Sequence, residues 1–99
     1  MTPLHLACQG GHVDVVELLI RRLNANVDIL NSLGETPLHI ACREGHKSCI
    51  ERLLLARAST TVREKLHGNT PLHVLALANH QRNQVTTVVS DSIKLTLNS

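Results

Sequence analysis

Histidines and cysteines are the residues of this chain whose types and spacing could do chemistry. There are seven His and three Cys among 99 residues. Cys8 lies three residues after His5, and Cys42 lies three residues after His39. This spacing places the two side chains of each pair on one helix face as possible zinc ligands. The ligands of one zinc ion must lie within about 4 Å of each other, whereas equivalent residues of packed helices lie about 8 to 10 Å apart. We therefore expect no metal and no cofactor, and we expect both cysteines to act as small buried hydrophobic residues.

A thiol nucleophile is the second chemical hypothesis. Cys49 follows His46 by three residues, and an imidazole base beside a thiol is one way to activate a cysteine. The sequence offers no third group to orient the base and no evident oxyanion donor. It also contains no glycine-rich phosphate loop and no GxSxG motif. We expect no enzymatic activity and no small-molecule substrate.

The composition argues against several other functions. Ten Lys and Arg against eight Asp and Glu give a net charge of +2, too small an excess for binding to a phosphate backbone. The basic residues are mixed with glutamates, which is typical of a solvated face and not of a nucleic-acid surface. No apolar stretch is long enough to span a membrane. An odd number of cysteines does not build a disulfide framework, and this favours an intracellular location, cytoplasmic or nuclear.

The sequence TPLH recurs at a fixed interval. It stands at residues 2–5, 36–39 and 70–73, so each copy lies 34 positions from the last. The apolar residues that follow each copy also fall into register under this shift. A period of this length is the mark of a repeat protein, in which each unit buries its apolar face against the next. Without Phe, Tyr or Trp, the shared core must consist of Leu, Ile, Val and Ala.

Each unit can be read as a helix, a turn, a second helix and a loop. The Thr-Pro pair predicts a helix start, because threonine caps free N–H groups and proline fits the first turn. Apolar residues follow at helical spacing until a Gly-His turn, formed by Gly11 and His12 in the first unit. A second helix is predicted over 13–23, followed by an Asn-rich loop that ends at Gly34.

The stretches TPLHLACQGGHVDVVELLI and TPLHIACREGHKSCIERLLL closely resemble the ankyrin repeat. The resemblance implies an all-α fold, a solenoid of stacked helix-turn-helix units with protruding loops or hairpins. It places a first repeat at 1–35, a second at 36–69 and a degenerate third, acting as a C-terminal cap, at 70–90. Residues 91–99 form a tail that could be a short strand or a disordered end. The resemblance also implies that the TPLH histidines hydrogen-bond locally and between adjacent units; these are His5, His39 and His73.

The chain departs from the family pattern in three places. The family period is about 33, and the 34 residues found here indicate one extra residue in the RRLN segment. In the second loop, Lys65 falls where the first loop has Asn31, so this loop is expected to lack the family's acidic residue and its conformation is left open. The third unit carries polar residues where its second helix should be apolar. Because the chain begins inside a repeat, we expect either a piece of a larger ankyrin protein or a short, marginally stable gene product.

The resemblance implies a non-enzymatic module that binds another protein through its loop tips and the concave face of its first helices. The module is expected to be a monomer or part of a longer chain. An alternative is a regulatory or targeting segment of a larger enzyme or of a signalling or transcription regulator. Leu33, Leu66 and Leu77 are the sharpest candidates, since an exposed apolar side chain is best explained by a partner, although Leu66 could tuck against its own hairpin. The contact candidates are the positions that the motif leaves free of structural duty: Gln9, Ser32, Leu33, Glu35, Arg43, Glu44, Leu66, His67, Asn69 and Leu77.

Overall fold

The described part of the chain is a stack of helices. The computed structural model describes residues 1–79, so the predictions for the second helix of the third unit and for the tail lie outside it. The helices are α1 (Pro3–Gly10), α2 (Val13–Arg21), α3 (Pro37–Glu44), α4 (Lys47–Leu55) and α5 (Pro71–Asn79). They pack in pairs within a unit, α1 on α2 and α3 on α4, and also between units, α1 on α3, α3 on α5 and α2 on α4. The predicted all-α architecture of stacked helix-turn-helix units is confirmed.

The first helix of each unit starts as the sequence predicts. The Thr36 hydroxyl accepts a hydrogen bond from the His39 N–H at 3.2 Å. In return, the His39 ring atom Nδ1 accepts from the Thr36 N–H at 3.0 Å. This is a capping box in which histidine takes the place usually held by glutamate or glutamine, and α1 has the same arrangement. A proline in the first turn completes the start, because its missing N–H would have no partner there.

Glycine ends each of these helices for a steric reason. Gly11 has a φ of 73° and Gly45 a φ of 75°, a left-handed conformation that L side chains rarely adopt. At Gly11 there is also no room, since an added Cβ would lie 2.8 Å from the His46 ring. That ring is fixed by a contact of 3.1 Å between its Nε2 and the Gln9 carbonyl. The Gly-His turns therefore form part of the joint between the two units.

One hydrophobic core runs through the units and contains no aromatic residue. Its largest members come from the first helices and from α4, and each is at most 2% exposed. All three cysteines are buried in the same core and none is in a disulfide. Cys8 and Cys42 are therefore small buried residues, as the sequence analysis expected. The largest core side chains are those of Leu4, Leu38, Ile40, Ile50, Leu53 and Leu75.

Burial makes the cysteines poor nucleophiles. Loss of hydration raises the pKa of the Cys8 and Cys42 thiols from 9.0 to about 12, and it also raises the pKa of Cys49. Raised pKa values leave far less thiolate at neutral pH than an ordinary cysteine has. We expect native protein to react with a thiol reagent such as DTNB at least about 100-fold more slowly than protein in guanidinium, because labelling requires opening of the core. Prompt labelling of three thiols in native protein would contradict the buried cluster.

The same shift predicts a loss of stability at alkaline pH. A thiol whose folded pKa lies above its unfolded value ionises first in the unfolded chain. Its contribution is complete below pH 9.0 and is lost as the pH rises from there toward about 12. We expect the urea midpoint of the parent protein to fall over this range. The variant Cys42→Ala, which copies the Ala76 of the third unit, should lose less stability across the same range.

The first unit presents an apolar side to solvent. Leu6 is 52% exposed, whereas Ile40, its counterpart in α3, is fully buried. Val15 is 43% exposed, whereas its counterpart Cys49 in α4 is fully buried. The same column of the repeat is therefore covered by a neighbouring unit in one case and open in the other.

The extra residue of the first unit lies where it was predicted, after the second helix. The Ala25 N–H bonds to the Leu19 carbonyl, six residues earlier. In the second unit the Ala58 N–H bonds to the Leu53 carbonyl, five residues earlier. The RRLN segment thus holds one residue more than the matching segment of the second unit.

The second unit gains its extra residue in the loop. In the first loop, backbone bonding joins the Asn31 N–H to the Glu35 carbonyl, four residues on. In the second loop it joins the Glu64 N–H to the Asn69 carbonyl, five residues on. Asn31 therefore corresponds to Glu64, and the prediction that Lys65 takes its place is wrong. A constant shift of 34 fails here because the two insertions lie at different points of the unit.

Candidate protein-binding surface

Two buried histidines, one on α1 and one on α3, each connect their helix to the end of the loop that closes the same unit. The His5 Nδ1 lies 2.8 Å from the Thr2 hydroxyl, and its Nε2 lies 2.8 Å from the Glu35 carbonyl. A carbonyl oxygen can only accept, so Nε2 carries the proton and Nδ1 accepts from the threonine. Both ring nitrogens are thus engaged in bonds that fix the loop relative to the helix.

His39 repeats this arrangement in the second unit. Its Nδ1 lies 2.9 Å from the Thr36 hydroxyl, and its Nε2 donates to the Asn69 carbonyl at 2.8 Å. For both buried histidines the local bond that the family resemblance implied is confirmed, whereas their Nε2 bonds run to Glu35 and Asn69, the last residues of the same repeats as bounded above. For His73, residues 1–79 provide the local bond to Thr70, at 2.8 Å. The same part of the chain contains no group of three or more potential metal ligands.

Asn31 shapes the tip of the first loop. Its Oδ1 accepts from the backbone N–H groups of Leu33 and Glu35, both at 2.9 Å. Its Nδ2 donates to the Glu35 carboxylate at 2.9 Å. Gly34 follows with a φ of 74°, which turns the chain back toward α3. These bonds leave the Leu33 side chain at the tip, 50% exposed.

Glu64 shapes the tip of the second loop as Asn31 shapes the first, but with a charged carboxylate. Its carboxylate accepts from the N–H groups of Asn69 at 2.7 Å, His67 at 2.9 Å and Leu66 at 3.0 Å. These bonds, that from Asn69 most of all, lower the pKa of Glu64 although its burial opposes the shift. The sequence does contain a signal for this residue, since an acidic side chain precedes Gly68. A constant shift of 34 pairs Asn31 with Lys65 and so misses Glu64 by one position.

The second loop should therefore weaken in acid. Glu64 stabilises the fold fully above its ordinary pKa of 4.5, and this contribution is lost as the pH falls below 4.5 through the lowered folded value. We expect Glu64→Gln to be less stable than the parent protein at pH 7, with the difference shrinking by pH 3. Urea unfolding followed by circular dichroism at both pH values measures this.

Glu51→Gln serves as the control for this prediction. Its carboxylate lies on α4, 45% exposed and 4.0 Å from the Lys47 ammonium, so little change is expected at either pH. A Glu64→Gln deficit that stays constant from pH 7 to pH 3 would contradict the charged role of the carboxylate.

The two loop tips lie side by side. The Lys65 N–H donates to the Leu33 carbonyl at 2.9 Å, which joins one tip to the other. Nearer the helices, the Ser59 N–H donates to the Asp28 carboxylate at 2.8 Å. The tips therefore form one continuous edge instead of two independent loops.

Most of the candidate contact residues are exposed where the sequence analysis placed them. Leu66 is 71% exposed and Leu77 is 57% exposed. Leu66 does not tuck against its own hairpin, so that alternative is wrong. The other candidates with exposed side chains are Gln9, Ser32, Leu33, Arg43 and His67.

Glu35 does not fit the expectation of a position free of structural duty. It is only 8% exposed, because its carboxylate pairs with the Arg43 guanidinium at 2.6 Å and also accepts from Asn31. Arg43 in turn lies 3.6 Å from the Glu44 carboxylate. Asn69 is half-buried, and its backbone bonds to both Glu64 and His39. Glu35, Arg43 and Asn69 thus hold the surface in shape, whatever else they contact.

No helix within residues 1–79 is long and apolar enough to cross a membrane. No curated protein matches this chain. A family model described as ankyrin repeats in three copies matches residues 4–98. Ankyrin repeats generally serve as protein–protein interaction modules and are typically non-catalytic. The two helix pairs show capped TPLH helix starts, Gly-His turns and loops anchored by histidines. Because the family model also matches nearly the whole length, the chain belongs to the ankyrin-repeat family.

Proposed function

We propose that this chain is a non-enzymatic module that binds a partner protein through its loop tips and the exposed ends of its first helices. The observation that carries the proposal is the set of leucines left exposed on this side, Leu33, Leu66 and Leu77. Leu33 and Leu66 lie on loop tips held by hydrogen bonds, and Leu77 lies on α5, so burying them against a partner orders little additional chain. Fully burying one leucine contributes about 1.5 to 3 kcal/mol.

The backbone around these leucines is held in place before any partner arrives. Asn31 and Glu64 fix the two tips, and the Lys65 N–H joins them at 2.9 Å. A pre-formed edge of this kind suits recognition, because the partner does not have to order the loops. We place this binding inside the cell, since three free thiols are compatible with reducing conditions.

The test compares two double variants that carry the same chemical change. Leu33→Asp with Leu66→Asp alters the tips, whereas Leu23→Asp with Leu55→Asp alters leucines that are 65% and 63% exposed on the second-helix side. Proteins captured from a cell extract by the parent chain should be lost with the tip variant and kept with the control. Circular dichroism checks that both variants fold. If both variants capture the same set as the parent, the tips are not the binding surface.

A further inference from the structure

A lysine side chain lies across both loop tips. The Lys65 N–H bonds to the Leu33 carbonyl at 2.9 Å, and a Cβ added to Gly34 would lie 2.9 Å from Cγ of Lys65. The aliphatic stem of Lys65 therefore covers Gly34 of the neighbouring tip. Leu33 precedes Gly34 and is 50% exposed, and Leu66 follows Lys65 and is 71% exposed. We call the exposed side chains of Leu33, Lys65 and Leu66 the tip patch.

The loop itself does not require a lysine at this place. Asn31 of the first loop corresponds to Glu64 of the second, so Ser32 is the counterpart of Lys65. In both loops the preceding side chain accepts backbone N–H groups, whether a serine or a lysine follows it. Within residues 1–79, Lys65 forms no ion pair. Because its stem is already packed, a partner that binds the charge orders little additional side chain.

The charged side chains that the two loops expose are basic. The loops, residues 24–35 and 57–69, hold three carboxylates, but those of Glu35 and Glu64 are only 8% and 7% exposed and accept hydrogen bonds within the fold. The third, that of Asp28, is half-buried and accepts from the Ser59 N–H at 2.8 Å. A partner that approaches the tips therefore meets exposed cations, and acidic groups are favoured there. The exposed cations of these loops are Arg57, Arg63 and Lys65.

We propose that the tip patch binds a peptide segment of the partner in which Asp or Glu stands close in sequence to a Leu-, Ile-, Met- or Phe-sized side chain. The carboxylate lies near the Lys65 ammonium, and the apolar side chain packs against Leu33 or Leu66. A nucleic acid would satisfy the cation but offers few aliphatic groups to the leucines. This inference rests on the proposed function and specifies the chemistry of the segment that the tips recognise.

A random peptide library displayed on phage, selected on the full chain, tests this chemistry without a known partner. We expect the selected peptides to share Asp or Glu beside an apolar residue and to be depleted of Lys and Arg. The affinity of the chain for a synthetic copy of a selected peptide is then measured by fluorescence anisotropy. Circular dichroism checks that each variant used in this comparison folds.

Lys65→Met keeps the aliphatic stem over Gly34 and removes the charge. Its affinity for the peptide should fall about three- to tenfold at low salt. At about 1 M salt it should approach that of the parent, because charges are screened there. Lys65→Arg should bind within about twofold of the parent. The control Lys47→Met makes the same change at a lysine 47% exposed on α4 and should also bind within about twofold.

Three results would overturn the inference. One is a set of selected peptides that is basic or shows no charge preference, or a chain that selects no peptide. Another is an affinity that Lys65→Met leaves unchanged at low salt. The third is equally tight binding of single-stranded DNA, which would make the lysine part of a general anion site.

The proposed function can survive each of these results. If captured proteins still depend on Leu33 and Leu66, the tips remain the binding surface and only the acidic chemistry of the bound segment fails. If neither the captured proteins nor the selected peptides depend on these leucines, both the proposed function and this inference fail.

Discussion

Replacing Ile40 by asparagine is expected to abolish cooperative unfolding of this protein, whereas the same change at Leu6 is expected to leave it nearly intact. Ile40 is fully buried between the helices of the two units, and Leu6 is 52% exposed at the equivalent position of α1. Removing a buried aliphatic side chain and burying an amide in its place costs about 3 to 5 kcal/mol. The total stability of a domain of this size is about 5 to 15 kcal/mol, so this loss removes a large part of it.

The pair of variants separates burial from local helix preference. Both residues lie at the same position of a short TPLH helix and both are aliphatic, so the two changes differ by only a few tenths of a kcal/mol in helix propensity. Urea unfolding followed by circular dichroism, at several protein concentrations, gives the free energy of each variant. Losses of similar size at the two positions would mean that the α1 side is covered in solution as the α3 side is. A concentration-dependent transition would then identify association between copies as the cover.

The second large effect is expected for His39→Ala. The change removes the bonds of the ring to the Thr36 N–H, the Thr36 hydroxyl and the Asn69 carbonyl. The backbone groups at the start of α3 and at the end of the second loop would then lack partners inside the structure. Each unsatisfied buried group costs about 1 to 3 kcal/mol, so we expect a loss of about 3 kcal/mol.

His73→Ala is the matched control. This histidine occupies the same motif position in α5 but is exposed, and its bond in residues 1–79 is the local one to Thr70. We expect it to cost less than about 1 kcal/mol. Hydrogen exchange offers a second readout, since only the His39 variant should lose amide protection in the second loop. Equal losses for the two variants would show that the bond to the following loop adds nothing.

The local features of the fold could be predicted from the sequence because they depend on neighbouring residues. The helix starts at Thr2 and Thr36 require only a hydroxyl, a proline and a histidine within four positions. The left-handed turns at Gly11 and Gly45 follow from glycine itself. Each of these elements is set by a stretch too short for an insertion to disturb.

The errors arise where a contact spans more of the chain. Glu35 of the first loop was expected to be free of structural duty, yet it is buried because Arg43, eight residues later on α3, reaches back to it. Glu64 was overlooked because a constant period hides two insertions that compensate each other. Both cases need the relative placement of a loop and a helix, which the repeat pattern alone does not provide.

The two insertions also determine where the units can be exchanged. Equivalent residues of the two units are 34 positions apart at Leu19 and Leu53 and again at Thr36 and Thr70. Between these pairs, Asn24 and Arg57, which both have left-handed backbones, are only 33 positions apart. The two units therefore share a 33-residue register only between the two insertions. A chimera that exchanges the units should accordingly be cut between Asn26 and Asn31, where the shorter register still holds.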